Sequence, residues 1–177
     1  MKPKSEQEHQ NDIVKQFSKQ AIPFTQIPGH YDAMQVLLEM SGVNDDDEVL
    51  DVACGPGMVA CEFARHAKHV TGVDITAAMI NQAQKKQLNQ NLINLDWVLG
   101  EAVSLPYGDN QFSLVITRYS FHHFLSPEKA LAEMTRVCKP GGRVLVADVV
   151  VEPDKSECYD RLEILRDPSH THALTKD

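Results

Sequence analysis

The sequence predicts a doubly wound α/β domain, and three observations carry that prediction. Val49–Met58 (VLDVACGPGM) is an apolar run with one acid that collapses into Gly-Pro-Gly, the pattern of a buried strand feeding a tight turn and then a helix. Val70–Asp74 (VTGVD) is a second such run. Its final residue, Asp74, lies 19 residues after Gly55, the spacing at which an acid on the neighbouring parallel strand can hydrogen-bond ribose hydroxyls. Onward to Val151, strand-like and helix-like segments alternate, which implies right-handed crossovers and a parallel sheet covered on both faces. A nucleoside-binding crevice is the first functional expectation.

Taken in order, residues 1 to about 10 are polar and expected to be disordered. Ile13, Val14, Phe17 and Ala21 then have the spacing of a short amphipathic helix over Ile13–Ile22, which Pro23 should end by removing a donor. A second helix is expected over Tyr31–Met40, with Met34, Leu37 and Leu38 inward and Gly42 as its stop. After the acidic linker Asn44–Glu48 come a strand at 49–53, a helix at about 58–67, a strand at 69–74, a helix at about 76–88 and a strand at about 94–99. A strand at 112–118, a helix at about 127–138 and a strand at 143–150 follow. Val144–Val151 is apolar apart from Asp148 and fits a central buried strand. Cys138–Gly142 reads as a helix C-terminus and a structural turn, and Ser156–Arg166 as an amphipathic helix before a His-rich tail.

The bulk properties narrow the function. A chain of 177 residues with 42% hydrophobic and 24% charged content has room for one domain with a substantial core. A formal charge of -8 argues against broad binding to nucleic acid, which needs a basic surface. Cys54, Cys61, Cys138 and Cys158 form neither a CxxC pair nor a zinc-like quartet, which points to reduced thiols, a cytoplasmic protein and no metal. With nucleic acid set aside, a small molecule or protein substrate is the default, and no stretch approaches the length of a membrane span, so no membrane partner is expected.

Gly55 and Gly57 flank Pro56 where the chain must reverse and let a ligand approach the backbone, and the following helix points free N–H groups at that turn. A plain tight connection would use the same glycines; the pairing with Asp74 favours a nucleoside. The third glycine of a dinucleotide fingerprint falls at Ala60, which that fingerprint tolerates, so an NAD-dependent oxidoreductase stays open on this motif alone. Asp51, inside the first strand, would sit awkwardly beside a pyrophosphate and suits a ligand with a cationic amino group.

From about Gln16 onward the sequence resembles the class I S-adenosylmethionine-dependent methyltransferases, in particular the quinone-biosynthesis C-methyltransferase group. The resemblance rests on VLDVACGPG, VTGVDITAAMINQA, GEAVSLPYGDNQFSLV, RYSFHHF and LAEMTRVCKPGGRVLVAD, in that order. It implies a Rossmann-like sheet of strand order 3-2-1-4-5 and S-adenosyl-L-methionine as cofactor. Asp51 and the turn from Ala53 through Gly55 to Gly57 would cradle the methionine end. Asp74 would bind the ribose hydroxyls, Ile75 and Met79 would lie against the adenine, Glu101 with the backbone of Ala102 would face its amino group, and Arg118 would close the methionine side. Each has a plainer role: Ile75 and Met79 as core, Glu101 as a solvated loop acid, Arg118 as a surface ion-pair partner. Ala53, Glu101 and Ser113 depart from the family's usual glycine, aspartate and aspartate.

His122 and His123 follow the fourth strand at the rim where a substrate would meet the methyl group, and either could take a proton from the acceptor. The competing role is structural, with one ring packed under the rim. The expected activity is methyl transfer to a small-molecule acceptor by in-line displacement; the rivals are a non-catalytic module holding S-adenosylmethionine or S-adenosylhomocysteine, and the oxidoreductase. The expected organisation is a helical lid segment at 1–43 that includes Phe17, Phe24 and Tyr31, a core at 44–151, and a helix and tail at 152–177. Related enzymes continue with strands 6 and 7, for which these last residues lack room. Either the chain is a fragment of a longer protein or an edge of its sheet is covered by another chain, and the expectation is a truncated sheet whose uncovered edge pairs in a homodimer or through an exchanged segment.

Overall fold

The computed structural model describes residues 5–24 and 33–176. Tyr31 and the side chain of Phe24 lie outside the described residues. Helix α1 (Glu6–Phe24) begins well before the expected Ile13. Ser5 and Glu8 explain the early start: Glu8 N–H donates to Ser5 Oγ (3.3 Å) while Ser5 N–H donates to Glu8 Oε2 (2.9 Å), a reciprocal capping box that satisfies two otherwise open donors. The helix also passes Pro23 by one residue, since a proline in the last turn forfeits only one bond. Helix α2 (Met34–Ser41) ends as expected on Gly42, whose left-handed backbone (φ 58°) turns its N–H back to Leu38 and Glu39.

A parallel sheet forms the centre, in the order β3-β2-β1-β4-β5. Its strands are β1 (Glu48–Val52), β2 (His69–Asp74), β3 (Leu95–Leu99), β4 (Phe112–Arg118) and β5 (Cys138–Ala147), joined by α3 (Met58–Phe63), α4 (Ala77–Asn89) and α5 (Pro127–Val137). This is the predicted strand order. It places β1 in the middle, where Asp51 pairs in register with Gly72 of β2 and Ile116 of β4. One apolar cluster, with Val49, Phe63, Val70, Leu114 and Ile116, fills one face of the sheet. A second, with Leu50, Val52, Val73, Val115 and Met134, fills the other. Neither face needs a polar partner, so β1 and β4 read as nearly unbroken apolar runs.

Two strand expectations are corrected. β5 is an edge strand in the described sheet, pairing only with β4, and Val146 is 36% exposed; it is not a central buried strand. Cys138–Gly142 is not a turn off the helix end but part of β5. Phe112 pairs with Cys138 and Leu114 with Arg143, so Lys139–Gly142 bulge opposite Ser113. A Cβ on Gly142 would lie 2.7 Å from Cys138 Sγ and 2.8 Å from Ser113 O, so the bulge requires glycine there.

The start of the core is pinned by charge. Arg143 donates to both Asp47 carboxylate oxygens at 2.6 Å and to Gly42 O at 2.9 Å, while Ser113 Oγ donates to Asp47 Oδ1 at 2.6 Å. Burial alone would raise the Asp47 pKa, but the bonds from Ser113 and Arg143 outweigh it and hold the carboxyl below its ordinary value. Ser113, the departure from the family pattern, thus joins β4 to the start of β1.

After β5 the chain makes a short strand, β6 (Val150–Val151), then α6 (Ser156–Arg166). The tail folds back, and β7 (Leu174–Thr175) pairs in parallel with β6 in a separate two-stranded sheet. α6 spans the predicted residues but buries none of them, and Leu162 and Leu165 are exposed.

Candidate functional site

The carboxyl ends of β1, β2 and β4 open onto one cavity, at the point where the strand order reverses and open sheets bind ligands. Asp51 lies at its floor, almost wholly buried, with Oδ2 accepting the Ala60 N–H at 3.0 Å. Burial pushes its pKa up to about 8; the nearby Asp74 charge adds to the rise, while the Ala60 amide and Arg118 oppose it. A cationic ligand group would reverse that balance by favouring the carboxylate.

The turn after β1 is built from left-handed residues: Ala53 (φ 56°), Gly55 (φ 52°) and Gly57 (φ 73°). Ala53 holds a conformation that glycine adopts without strain, which explains the family preference at that position. Asp74, at the end of β2, fastens the turn. Its Oδ2 accepts the Gly55 N–H (2.8 Å) and its Oδ1 the Thr76 N–H (2.8 Å) at the start of α4. Burial raises the Asp74 pKa, opposed by these two amides. Each carboxylate oxygen has a second lone pair, so the acid that shapes the turn can still accept ligand hydroxyls.

Ala53, Gly55, Ile75, Met79, Glu101, Ala102, Arg118 and His123 line the same cavity as Asp51 and Asp74. Two proposed site residues do not. Gly57 serves packing: a Cβ there would lie 2.5 Å from Trp97 Cη2 and 2.8 Å from Ala83 Cβ, so only glycine lets α3 start this close to β3 and α4. His122 turns away and bonds through Nδ1 to Asp148 Oδ1 at 2.6 Å. Asp148 also accepts the Phe121 N–H at 2.8 Å, so the pair fixes the turn Phe121–His123 to the end of β5. Burial would raise the Asp148 pKa, but His122 outweighs it and the carboxyl sits below its ordinary value. His123 lines the cavity, and burial together with the neighbouring His122 brings its pKa down to about 4.

The sequence pattern missed the wall formed by α1. Glu6, His9, Gln10, Ile13 and Phe17 all line the cavity. Gln10 Nε2 donates to Glu101 Oε2 at 2.8 Å, His9 Nε2 to the His123 carbonyl at 2.7 Å, and Phe17 meets the His123 ring edge-on at 5.0 Å. The Ser5-Glu8 spacing was the available signal for this helix. Tyr119 was also missed: it lines the cavity with a left-handed backbone (φ 55°), and the Arg118 guanidinium stacks 4.4 Å from its ring centre. Nothing in an isolated tyrosine announces that geometry.

Among the described residues no group of three or more His, Cys, Asp or Glu could hold a metal ion, and no helix is long and apolar enough to cross a membrane.

A 3-2-1-4-5 sheet whose β2 acid grips the glycine turn of β1 defines the nucleoside-binding class of doubly wound domains. Within that class, the chain belongs to the S-adenosylmethionine-dependent methyltransferases: residues 50–146 match the family described as "Methyltransferase domain". S-adenosylmethionine is the cofactor of that family. The chain is 33% identical over 137 residues to the uncharacterized methyltransferase YcgJ of Bacillus subtilis, covering 76% of this chain and 54% of that protein. It is 34% identical over 143 residues to the ubiquinone/menaquinone biosynthesis C-methyltransferase UbiE of Francisella tularensis subsp. novicida, covering 77% and 57%. The crystal structure of YcgJ superposes with a TM-score of 0.78 at 31% identity, covering 83% of this chain and 64% of that one. The chain thus spans about half the length of the curated relatives it matches.

Proposed function

We propose that this domain binds S-adenosylmethionine across the carboxyl ends of β1, β2 and β4 and transfers its methyl group to a small-molecule acceptor by in-line displacement. The observation that carries this is the convergence of Asp51, the turn residues Ala53–Pro56, Asp74, Glu101 and Arg118 on one cavity. In this assignment Asp51 pairs with the cationic amino group of the donor, Arg118 closes the methionine side, and Asp74 accepts the ribose hydroxyls. Ile75 and Met79 lie against the adenine, and Glu101 with the Ala102 backbone faces its amino group. The buried acid beside the turn supports this donor over a dinucleotide, whose pyrophosphate offers it no cation to pair with.

The bound donor supplies a methyl already activated by its sulfonium, so the protein's task is alignment and exclusion of water. Helix α1 performs the second as a lid, held by His9 at the His123 carbonyl, by Gln10 at Glu101 and by Lys129 Nζ at Glu6 (3.4 Å). His123, the cavity-facing member of the pair, takes the acceptor's proton. The formal charge of -8 favours a small molecule over nucleic acid as acceptor.

Calorimetric titration with S-adenosylmethionine, S-adenosylhomocysteine and NAD tests the assignment. The expected result is binding of the first two and none of NAD; binding of NAD alone refutes it. Binding of both sulfur nucleosides without methyl transfer to any of a panel of protic small molecules would favour a non-catalytic binding module.

A further inference from the structure

The tail after α6 returns to the rim of the cavity. Thr171 donates to the His122 carbonyl through both its N–H and its hydroxyl, each at 2.8 Å, and this draws Asp167 and Ser169 against the back of the His123 ring. Both are buried, Ser169 completely. Ser169 Oγ lies 3.2 Å from His123 Nδ1 and 2.5 Å from Asp167 Oδ1, which also accepts the Ser169 N–H at 2.9 Å.

The direction of this chain of bonds follows from its end. A carboxylate oxygen can only accept, so the one hydroxyl proton of Ser169 points to Asp167. The serine oxygen then accepts from His123, which places the ring proton on Nδ1 and leaves Nε2 a bare lone pair. The ring is held in place by Phe17, edge-on at 5.0 Å, and by His122 at 4.2 Å. No hydrogen-bond partner of Nε2 exists among the described residues, and His123 lines the cavity that contains Asp51 and Arg118. The low pKa of the buried ring keeps it neutral near pH 7, the state in which a tautomer is defined.

We infer that Asp167 and Ser169 are positioning residues that hold His123 in the Nδ1–H tautomer and present its Nε2 lone pair to the ionisable X–H bond of the methyl acceptor. The inference rests on the methyl-transfer assignment above. In the step, the X–H proton passes to Nε2 and the pair left on X forms the bond to the methyl carbon. The carbon–sulfur bond breaks with its pair going to sulfur, which changes from sulfonium to neutral thioether. The positive charge therefore moves to the imidazolium. Its Nδ1–H stays on Ser169, and the Asp167 carboxylate behind that hydroxyl stabilises the new charge. Asp167 and Ser169 lie beyond residues 50–146, so the family match does not include them.

Long-range proton–nitrogen correlation spectra of protein labelled with 15N-histidine test the inference, with His123 assigned by His123→Gln. Wild-type protein is expected to show His123 with a protonated Nδ1 and an unprotonated Nε2 whose resonance moves when S-adenosylhomocysteine is added. Ser169→Ala is expected to give a mixture of tautomers while its affinity for S-adenosylhomocysteine stays within twofold. An Nε2–H tautomer in the wild type, or a pure Nδ1–H tautomer in Ser169→Ala, overturns the positioning role. The wild-type spectrum decides even if the variant fails to fold. Failure to bind S-adenosylhomocysteine would instead overturn the donor assignment and the step built on it, so the two failures are distinguishable.

Discussion

Asp51 offers the sharpest test of the donor site. With its pKa near 8, about nine-tenths of the ligand-free protein carries a proton on this carboxyl at pH 7. A donor amino group placed against it stabilises the carboxylate, so binding at pH 7 should release about 0.9 proton if the bound carboxyl is fully ionised. Affinity should then rise nearly tenfold per pH unit between pH 6 and 7. The paired hydrogen bond to a charged group contributes about 1.5–3 kcal/mol. At pH 7 ionising Asp51 costs about 1.4 kcal/mol of it, one pH unit below the raised pKa. Asp51→Asn should therefore weaken binding by about 0–2 kcal/mol at pH 7, abolish proton release and flatten the pH dependence. Titration calorimetry with S-adenosylhomocysteine, repeated in buffers of different ionisation enthalpy, measures all three. Heat independent of buffer, with constant wild-type affinity from pH 6 to 7.5, would refute the pairing. The same carboxyl acts on stability. Its folded pKa lies above the unfolded value of about 3.8, so its stabilising contribution is complete below pH 4 and is lost as pH rises toward 8. His123, whose folded value of about 4 lies below its unfolded one, adds the opposite slope up to about pH 6.5, so the melting temperature of the free protein should fall between pH 6.5 and 8, and less steeply in Asp51→Asn; Asp74, raised in the same direction, retains part of the slope.

Three further outcomes follow from the packing. Asp74→Ala should lose about 1.5–3 kcal/mol of S-adenosylhomocysteine affinity by calorimetry, from the charged hydrogen bonds to ribose. It should also lower the melting temperature, because the Gly55 and Thr76 N–H groups lose their shared acceptor. Gly57→Ala combines a left-handed alanine, about 1–2 kcal/mol, with a clash on Trp97 and Ala83, about 1–3 kcal/mol. Thermal unfolding should show a fall of roughly 5–20 °C, and an unchanged melting temperature would mean that Trp97 moves aside freely. The outer edge of β5, with Val146 exposed, should pair copies into a dimer; a monodisperse monomer in dilute X-ray scattering would rule that out.

The β-strands and the glycine turn with its two acids were legible in the sequence because their determinants are local. A strand buried on both faces has to be an apolar run, and a turn that changes hand there has to use glycine, so Val49–Gly57 and Val70–Asp74 declare themselves. The strand order came from the family resemblance, and the observed sheet has it. The misreadings share a different cause. Residues 6–12 are polar because one face of α1 is wet, and their helix is specified by Ser5 and Glu8 rather than by periodicity. Lys-Pro-Gly-Gly at 139–142 has the composition of a turn, and only the pairing of Phe112 and Leu114 on β4 makes it a bulge within a strand. Val144–Val151 looked central because its apolarity exceeds what its single partner strand covers. His122 and His123 are indistinguishable in sequence; Asp148 on one side and Ser169 on the other decide which ring faces the cavity.

This division has a functional consequence. The half of the cavity proposed for the donor is assembled from neighbouring strand ends within residues 50–146, with Asp74 already bonded to Gly55 and Thr76. The other half is closed by α1 and braced by the tail. These segments lie more than 100 residues apart and meet at one place, the ring of His123, with Phe17 against its edge and Ser169 on its Nδ1. Residues that must be brought together over such separations depend on the folded core for their placement. Substitutions in α1 or the tail can therefore reshape the acceptor side while the donor cradle stays intact. Changes in Phe17 or Ile13 should alter which acceptor is used before they alter affinity for the sulfur nucleoside, and the reverse order would mean that α1 is part of the donor site.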